Sequence, residues 1–509
     1  MIQLIAGARL PGGHAAADSG TGAGGSELVD VWIGANGTIR AVTPAGSLAE
    51  FDGVRKSAAT TLGAEGRVLT SGLWDEHVHL GQWAQQSSRP DFVAANSPGE
   101  ALTRVAKLLA PDVHGNAPSE IIGMRLRGGD WGGLTREQLD SVSSTVPIVL
   151  VGLDLHGAWL NSAALARHGF LPDHDAHVIE DECFALLADL DRVTDETLDA
   201  AIDQAAARAA ALGVVGVVDF EIRWSYEDWL RRERSGFSTL RVESAVYPEH
   251  LDRAIALGLR SGSPIGDGGR ISVGPLKVIT DGSLGTRTAL CCDPYPDGGH
   301  GRQLVPPAEL TELLSRARHA GFTAAVHAIG DRANSQALDA FEATGIAGRI
   351  EHAQLLQRRD LARFAALGVA ASVQPAHLLD DVPSMRAVWA DRAERAFPLA
   401  SLDRSGAKIV LGSDAPVAPL DPWLAISAAV GRLPAGSDVW VPSERLSVAR
   451  ALQSSMRGPL RPAAGDPADL MLLDSDPLAP RKGSGPDAPP FERPSVAATL
   501  VGGTLTHLA

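Results

Sequence analysis

The chain has 509 residues, with 45 Lys+Arg against 61 Asp+Glu, a net charge of −16, and 45% apolar residues. That acidity speaks against a protein whose main work is gripping nucleic-acid phosphates, and the 21% of charged residues form no like-charged tail. Three cysteines, two of them adjacent at Cys291 and Cys292, exclude a disulfide scaffold; a start unlike a signal peptide and the lack of any run of ~18 apolar residues predict a cytoplasmic protein without a membrane span.

Residues 1–69 read as short strands, with a hairpin at Asn36-Gly37 and a further strand over Thr60–Leu69. From there β and α patterns alternate. The strand candidates are Arg67–Leu73, Val214–Phe220, Arg241–Tyr247, Ile271–Ile279, Phe322–Val326, Arg349–His352, Gly368–Val373 and Lys408–Gly412. Helical stretches such as 333–344 and 358–368 follow several of them. Near-continuously apolar strands alternating with helices predict an α/β protein with a TIM-like (β/α)8 barrel. The gap after the first strand, about 82–212, is too long for a loop and holds its own strand candidates, so it predicts an inserted subdomain. Residues 468–477 and 495–508 are again strand-like, separated by a Pro/Gly-rich loop. The expected organisation is a composite β-sandwich domain from 1–69 plus 462–509, around a barrel domain over 70–461.

The chemistry lies where apolar strands run out. His77 and His79 are two apart, so in a strand they face the same side, an arrangement suited to a metal ion. His327, His352 and Asp414 each close a later strand, on the face where barrels keep their active sites. Recurrence in barrel order favours a metal centre over isolated caps. Lys277 sits inside an apolar strand, where a charged amine is costly. It reads either as a salt-bridged lysine or as an uncharged amine that takes up carbon dioxide and bridges two metals as a carbamate.

The stretches WDEHVHL (74–80), DLHGAWLNSAAL (154–165), KVITDGSLGTRTAL (277–290), VHAIGDRAN (326–334), RIEHAQLL (349–356), SVQPAH (372–377) and LGSDAPVAPLDPW (411–423) resemble the amidohydrolase superfamily, and within it the YtcJ-like, amidohydrolase 3 group that includes N-substituted formamide deformylases. The resemblance runs from about residue 30 to the end. It implies a TIM-like barrel, a small composite β-domain and one or two divalent metals. It assigns His77, His79, His327, His352 and Asp414 as metal ligands and Lys277 as the carboxylated-lysine position. Three departures stand out. Glu76 occupies a place where a small residue is usual, Thr70-Ser71-Gly72 replaces a Pro-Gly, and residues 174–184 match a Gly-rich segment poorly.

These readings predict a metal-dependent hydrolase of a C–N bond, in an amide, formamide or carbamate of a small, partly apolar molecule. One or two zinc or other divalent ions would activate water, with Asp414 as proton acceptor and donor and His156 as oxyanion stabiliser. Trp83, Trp159, Asp281, Ser283 and Gln374 are candidate substrate-binding residues. Asp331 is a candidate partner orienting His327, or else a helix cap. Lactone or ester hydrolysis and deamination use the same centre and stay open, as does, more remotely, a non-catalytic barrel. The expected partner is a small molecule rather than nucleic acid or membrane, with a homodimer left open.

Overall fold

A computed structural model describes residues 1–12, 28–47, 60–86, 89–110, 118–127, 133–153, 155, 157–171, 174–179, 181–190, 192–296, 298–432, 438–479 and 492–509. The chain folds as two compact units, one of Met1–Leu80 with Ala206–Ala509 and the other of Gly81–Ala205.

The first unit is built on an eight-stranded parallel sheet. Its strands are β1 (Leu73–Val78), β2 (Val214–Asp219), β3 (Arg241–Val246), β4 (Ile271–Ile279), β5 (Ala324–Ala328), β6 (Gly348–His352), β7 (Ala370–Val373) and β8 (Ile409–Leu411). Each pairs with the next in order, as a (β/α)8 barrel requires. The ring closes just beyond β8, where Val78 bridges Ala415, Asp414 N–H donates to the His77 carbonyl at 2.7 Å and His79 N–H donates to the Ala415 carbonyl at 2.8 Å. The strands are mostly buried along their length, which is why they read as continuous apolar runs rather than alternating ones. Helices such as Pro307–His319 and Asp331–Thr344 pack outside; the latter stops at Gly345, which takes the left-handed conformation (φ 62°) that ends a helix cheaply.

The first barrel strand is not the one expected. Val68–Ser71, inside the expected Arg67–Leu73, pairs antiparallel with Leu470–Leu473 in a separate sheet. The chain changes partners in a single step: Gly72 N–H donates to the Asp469 carbonyl and Leu73 N–H to the Gly213 carbonyl. Asp75, Glu76 and His77, read from sequence as the strand's polar end, lie within it. A bulge accompanies them. Asp75 aligns with Val217 and Val78 with Asp219, so three steps along β1 match two along β2.

Two further four-stranded sheets complete this unit. One is ordered Ile39–Pro44, Val29–Ile33, Leu4–Ala8, Thr61–Gly63; the other Thr504–Leu508, Val496–Val501, Leu470–Leu473, Val68–Ser71. Both feed one core that includes Ile5, Val31, Leu69, Leu470, Leu472 and Leu500, joining residues from the two ends of the chain.

The second unit has its own sheet, ordered His177–Ile179, Gly157–Leu160, Ile148–Gly152, Ile121–Leu126. Its helices carry strong start signals. Ser97 accepts from Glu100 N–H, Thr135 and Gln138 form a reciprocal capping box, and Asn161 accepts from Ala164 N–H. Among the described residues, no helix is long and apolar enough to cross a membrane.

Candidate metal centre

The barrel register decides which side chains meet. In the β5–β6 pairing His327 aligns with Glu351 and Ala328 with His352, which brings the His327 and His352 rings to 4.4 Å between centroids. The His77 ring lies 5.1 Å from that of His352 and 5.8 Å from that of His79. Asp414 joins them from just beyond β8: its Oδ1 is 3.3 Å from His77 Nε2 and 3.5 Å from His79 Nε2. His77, His352 and Asp414 each present a ligand atom within 4.8 Å of the others.

The backbone is bent to achieve this. His352 (φ 73°) and Asp414 (φ 57°) are in the left-handed region, which costs a non-glycine residue on the order of 1 kcal/mol or more. Gly412 lets β8 approach β1 here: a Cβ on it would sit 2.6 Å from His77 N and 2.7 Å from His77 Cβ.

Electrostatics favour metal ligation. Burial, with the Lys277 charge adding to it, pushes His77 down to about 4 and His327 down to about 3, and burial beside His327 takes His352 well below the usual imidazole range. At neutral pH all three are uncharged, the form that binds metal. Burial alone would raise Asp414, but His77, His79 and His352 outweigh it and hold the carboxyl well below its usual range, so it is an anion. His79 Nδ1 and His352 Nδ1 are buried without a protein partner. Neutral imidazoles, one carboxylate and unpartnered buried ring nitrogens fit a divalent cation.

Lys277 is 2% exposed, with its Nζ 3.3 Å from His77 Nε2 and 4.3 Å from the Phe220 ring centroid. Burial lowers its pKa to about 8. Gln374 Nε2 lies 3.4 Å from His77 Nδ1. Asp281 is spent on the backbone: its carboxylate accepts from Leu290, Ile329 and Gly330 N–H, and burial raises it to about 7. Ser283 Oγ pairs with Thr286 Oγ1 at 2.9 Å, inside the same loop. Asp331 begins its helix, accepts from Cys292 N–H at 2.8 Å and pairs with Arg395 at 2.9 Å, while His327 Nε2 faces Asp281 and the Gly282 carbonyl, each at 3.5 Å. Trp83 and Trp159 belong to the second unit, where the Trp159 ring stacks on His177 at 4.5 Å. Asp154 and His156 lie outside the described residues.

Sequence reasoning passed over three residues that shape the centre. Glu351 Oε2 accepts from His77 Nδ1 at 2.7 Å. Arg349 pairs with Glu351 at 2.7 Å and with Glu76 at 2.6 Å. Phe220 is a floor, 4.5 Å from the His77 ring. The available signal was Arg349 and Glu351 two apart on one short strand, both needing partners if buried.

A parallel (β/α)8 barrel with neutral histidines and an aspartate converging at its strand ends defines the chain as a metal-dependent hydrolase. It belongs to the amidohydrolase family, whose model matches residues 60–507. Protein LONG AFTER FAR-RED 3 of Arabidopsis thaliana is 30% identical over 448 residues, 80% of this chain and 76% of that protein. The N-substituted formamide deformylase of Arthrobacter pascens is 24% identical over 490 residues, 85% of this chain and 88% of that one. The crystal structure of an uncharacterized metal-dependent hydrolase from Pyrococcus horikoshii OT3 superposes with a TM-score of 0.77 at 25% identity, over 94% of this chain and 98% of that chain.

Proposed function

We propose that this hydrolase cleaves the C–N bond of a small, partly apolar amide, formamide or carbamate, using zinc held by His77, His79, His327, His352 and Asp414. The convergence of His77, His79 and His352 on the Asp414 carboxylate carries this reading. The similarity to a formamide deformylase supports the choice of bond. A divalent ion at this place supplies Lewis acidity and lowers the pKa of water.

The chain's own residues supply proton handling. Asp414 is the carboxylate facing Nε2 of both His77 and His79 and is anionic, and our reading, which follows the resemblance, has it accept a proton from attacking water and return it to the departing amine. Lys277, with its lowered pKa, yields more free amine near pH 8 than an exposed lysine would, and in our reading that amine takes up carbon dioxide, losing one proton to solvent, to give a carbamate whose oxygens would help hold a second ion. In our reading His156 is assigned to the oxyanion and Gln374 to substrate, while Asp281 and Asp331, whose carboxylates are held by backbone N–H groups and Arg395, support the loop after His327.

The test is metal analysis of purified protein, combined with turnover of a panel of formamides, N-acyl amines and carbamates alongside lactones and esters. Amide or formamide cleavage that stops on chelation and returns with zinc is expected. Turnover confined to lactones or esters would reject the C–N assignment, and activity unaffected by chelation in a metal-free protein would reject the centre itself.

A further inference from the structure

Beneath the histidines, a row of charges runs across the barrel, part-exposed at Arg457 and buried from Glu76 inward. Arg457 donates from Nε to Glu76 Oε1 at 2.7 Å and from Nη2 to Glu76 Oε2 at 2.9 Å, and its other edge holds Glu243. Arg349 donates from Nη1 to Glu76 Oε2 at 2.6 Å and from Nη2 to the Glu76 carbonyl at 3.0 Å. Arg349 Nε and Glu351 Oε1 form an ion pair at 2.7 Å outside hydrogen-bond geometry, and Glu351 Oε2 accepts from His77 Nδ1 at 2.7 Å. The side chains of Glu76, Arg349, Glu351 and His77 are only 5%, 13%, 0% and 1% exposed.

Charge alternates in sign from Arg457 to Glu351, and every link is short. Arg349 grips both the side chain and the carbonyl of Glu76, and Glu76 is the residue before His77 in the bulge of β1. The guanidinium therefore fixes two things at once: the path of the backbone that carries His77, and the orientation of the Glu351 carboxylate that faces the His77 ring. A carboxylate only accepts hydrogen bonds, so one held against Nδ1 keeps the proton there and leaves Nε2 bare on the side of Asp414.

We propose that Glu76, Arg349 and Arg457 are positioning residues of the metal centre, acting through Glu351 to hold His77 as its Nδ1–H tautomer with Nε2 free for the ion. The value of the row to function rests on the reading of His77 as a ligand; the tautomer itself does not.

Two measurements decide it. Two-bond 15N–1H correlation spectra of the metal-free, full-length protein, with His77 assigned through His77→Gln, read the tautomer directly. We expect the Nδ1–H form in the wild type and a shift toward a tautomer mixture in Glu76→Gln. Zinc affinity, from competition with a chelating dye, should fall roughly 10- to 100-fold in Glu76→Gln, recover largely in Glu76→Asp, and fall little further when Glu76→Gln is added to Glu351→Gln. Should Glu76→Gln not fold, Arg457→Lys, which keeps the charge but not the fork, is expected to move the His77 spectrum the same way by less. An unchanged His77 spectrum in the folded variant, or losses of zinc affinity that add in full in the double variant, would overturn the proposal. A wild type that takes up no zinc would instead count against the metal reading, with the spectra still deciding the positioning role.

Discussion

Two groups of buried polar residues occupy this barrel within one or two residues of each other along β1 and β6. In the row of Glu76, Arg349, Arg457 and Glu351, each charge faces an opposite one at 2.6–2.9 Å. Among the ring nitrogens above it, His79 Nδ1 and His352 Nδ1 face none, and three histidines are held neutral. A buried polar group without a partner costs roughly 1–3 kcal/mol. The lower layer is matched charge for charge, although Arg349 Nε and Glu351 Oε1 pair outside hydrogen-bond geometry, while the upper layer has neutral rings with neither a bond nor a counter-charge at Nδ1 of His79 and His352; the fold is keeping that layer for something that binds. The matched layer belongs to the native state of the protein alone, and the unmatched layer to its loaded state.

Breaking the upper layer should therefore cost activity and not folding. Chelation, or His77→Ala, is expected to reduce hydrolysis by more than about 1,000-fold, and Asp414→Asn by roughly 100- to 10,000-fold; the thermal midpoint of the metal-free protein should be nearly unchanged in Asp414→Asn, and lowered without unfolding in His77→Ala, which also takes the donor from buried Glu351. Steady-state kinetics with calorimetry checks both halves. A His77→Ala protein that is fully active, or one that is unfolded, would erase the distinction between the layers.

The lower layer should behave in the opposite way. Arg349→Met removes one of the two arginines on Glu76 and the arginine facing Glu351, both carboxylates essentially buried, leaving Arg457 on the first and neutral His77 on the second. Removing one side of a buried pair typically costs about 3–5 kcal/mol, read as a lower denaturant midpoint. Gly412→Ala tests the seam between β8 and β1. Its methyl group would meet the His77 backbone, which cannot swing away as a side-chain tip could. We expect about 1–3 kcal/mol of destabilisation together with weakened zinc binding, because the clash falls on a candidate ligand.

The same contrast explains what could be read from the sequence. The barrel was legible because parallel strands covered on both faces leave long apolar runs, and the ends of those runs pointed to His327, His352 and Asp414. The start of β1 was not, because the rule that a strand ends where polar residues begin fails when Asp75, Glu76 and His77 are each given a buried partner. Glu351 escaped for a related reason. Strand alternation sets it on the opposite side from His352, yet the left-handed turn at His352 and the bulge in β1 bring both to His77, and neither irregularity has a local sequence code. Asp331 shows the limit of spacing as evidence. It lies four residues after His327, but its carboxylate is taken by Cys292 N–H and Arg395, which are distant in sequence.

The smallest expected effect concerns pH, and it separates a buried centre from an exposed one. An imidazole in water titrates near 6.5, so a metal must displace a proton from it at any pH below that. Here His77 is lowered to about 4 and His327 to about 3, chiefly by burial. Folding has already removed those protons, so His77 and His327, with His352 lowered likewise, impose almost no pH dependence on metal binding between pH 5 and 7. Folding stability is a poorer readout, because two signs overlap. The unfolded chain binds protons at these histidines below 6.5 while the folded one does not, so they make stability rise with pH between about 4 and 6.5. Asp75 and Asp281, both raised to about 7 mainly by burial, keep their protons in the folded state after the unfolded chain has lost them, so they make stability fall with pH from about 4 to 7. Zinc affinity avoids that cancellation. The part of it owed to His77, His327 and His352 should change by less than about threefold from pH 7 to pH 5, whereas a single exposed imidazole ligand would lose about 30-fold over the same interval. A steep fall below pH 6.5 in a competition titration would mean that the histidines are wet, and that the upper layer is not the dehydrated set of neutral donors on which the comparison depends.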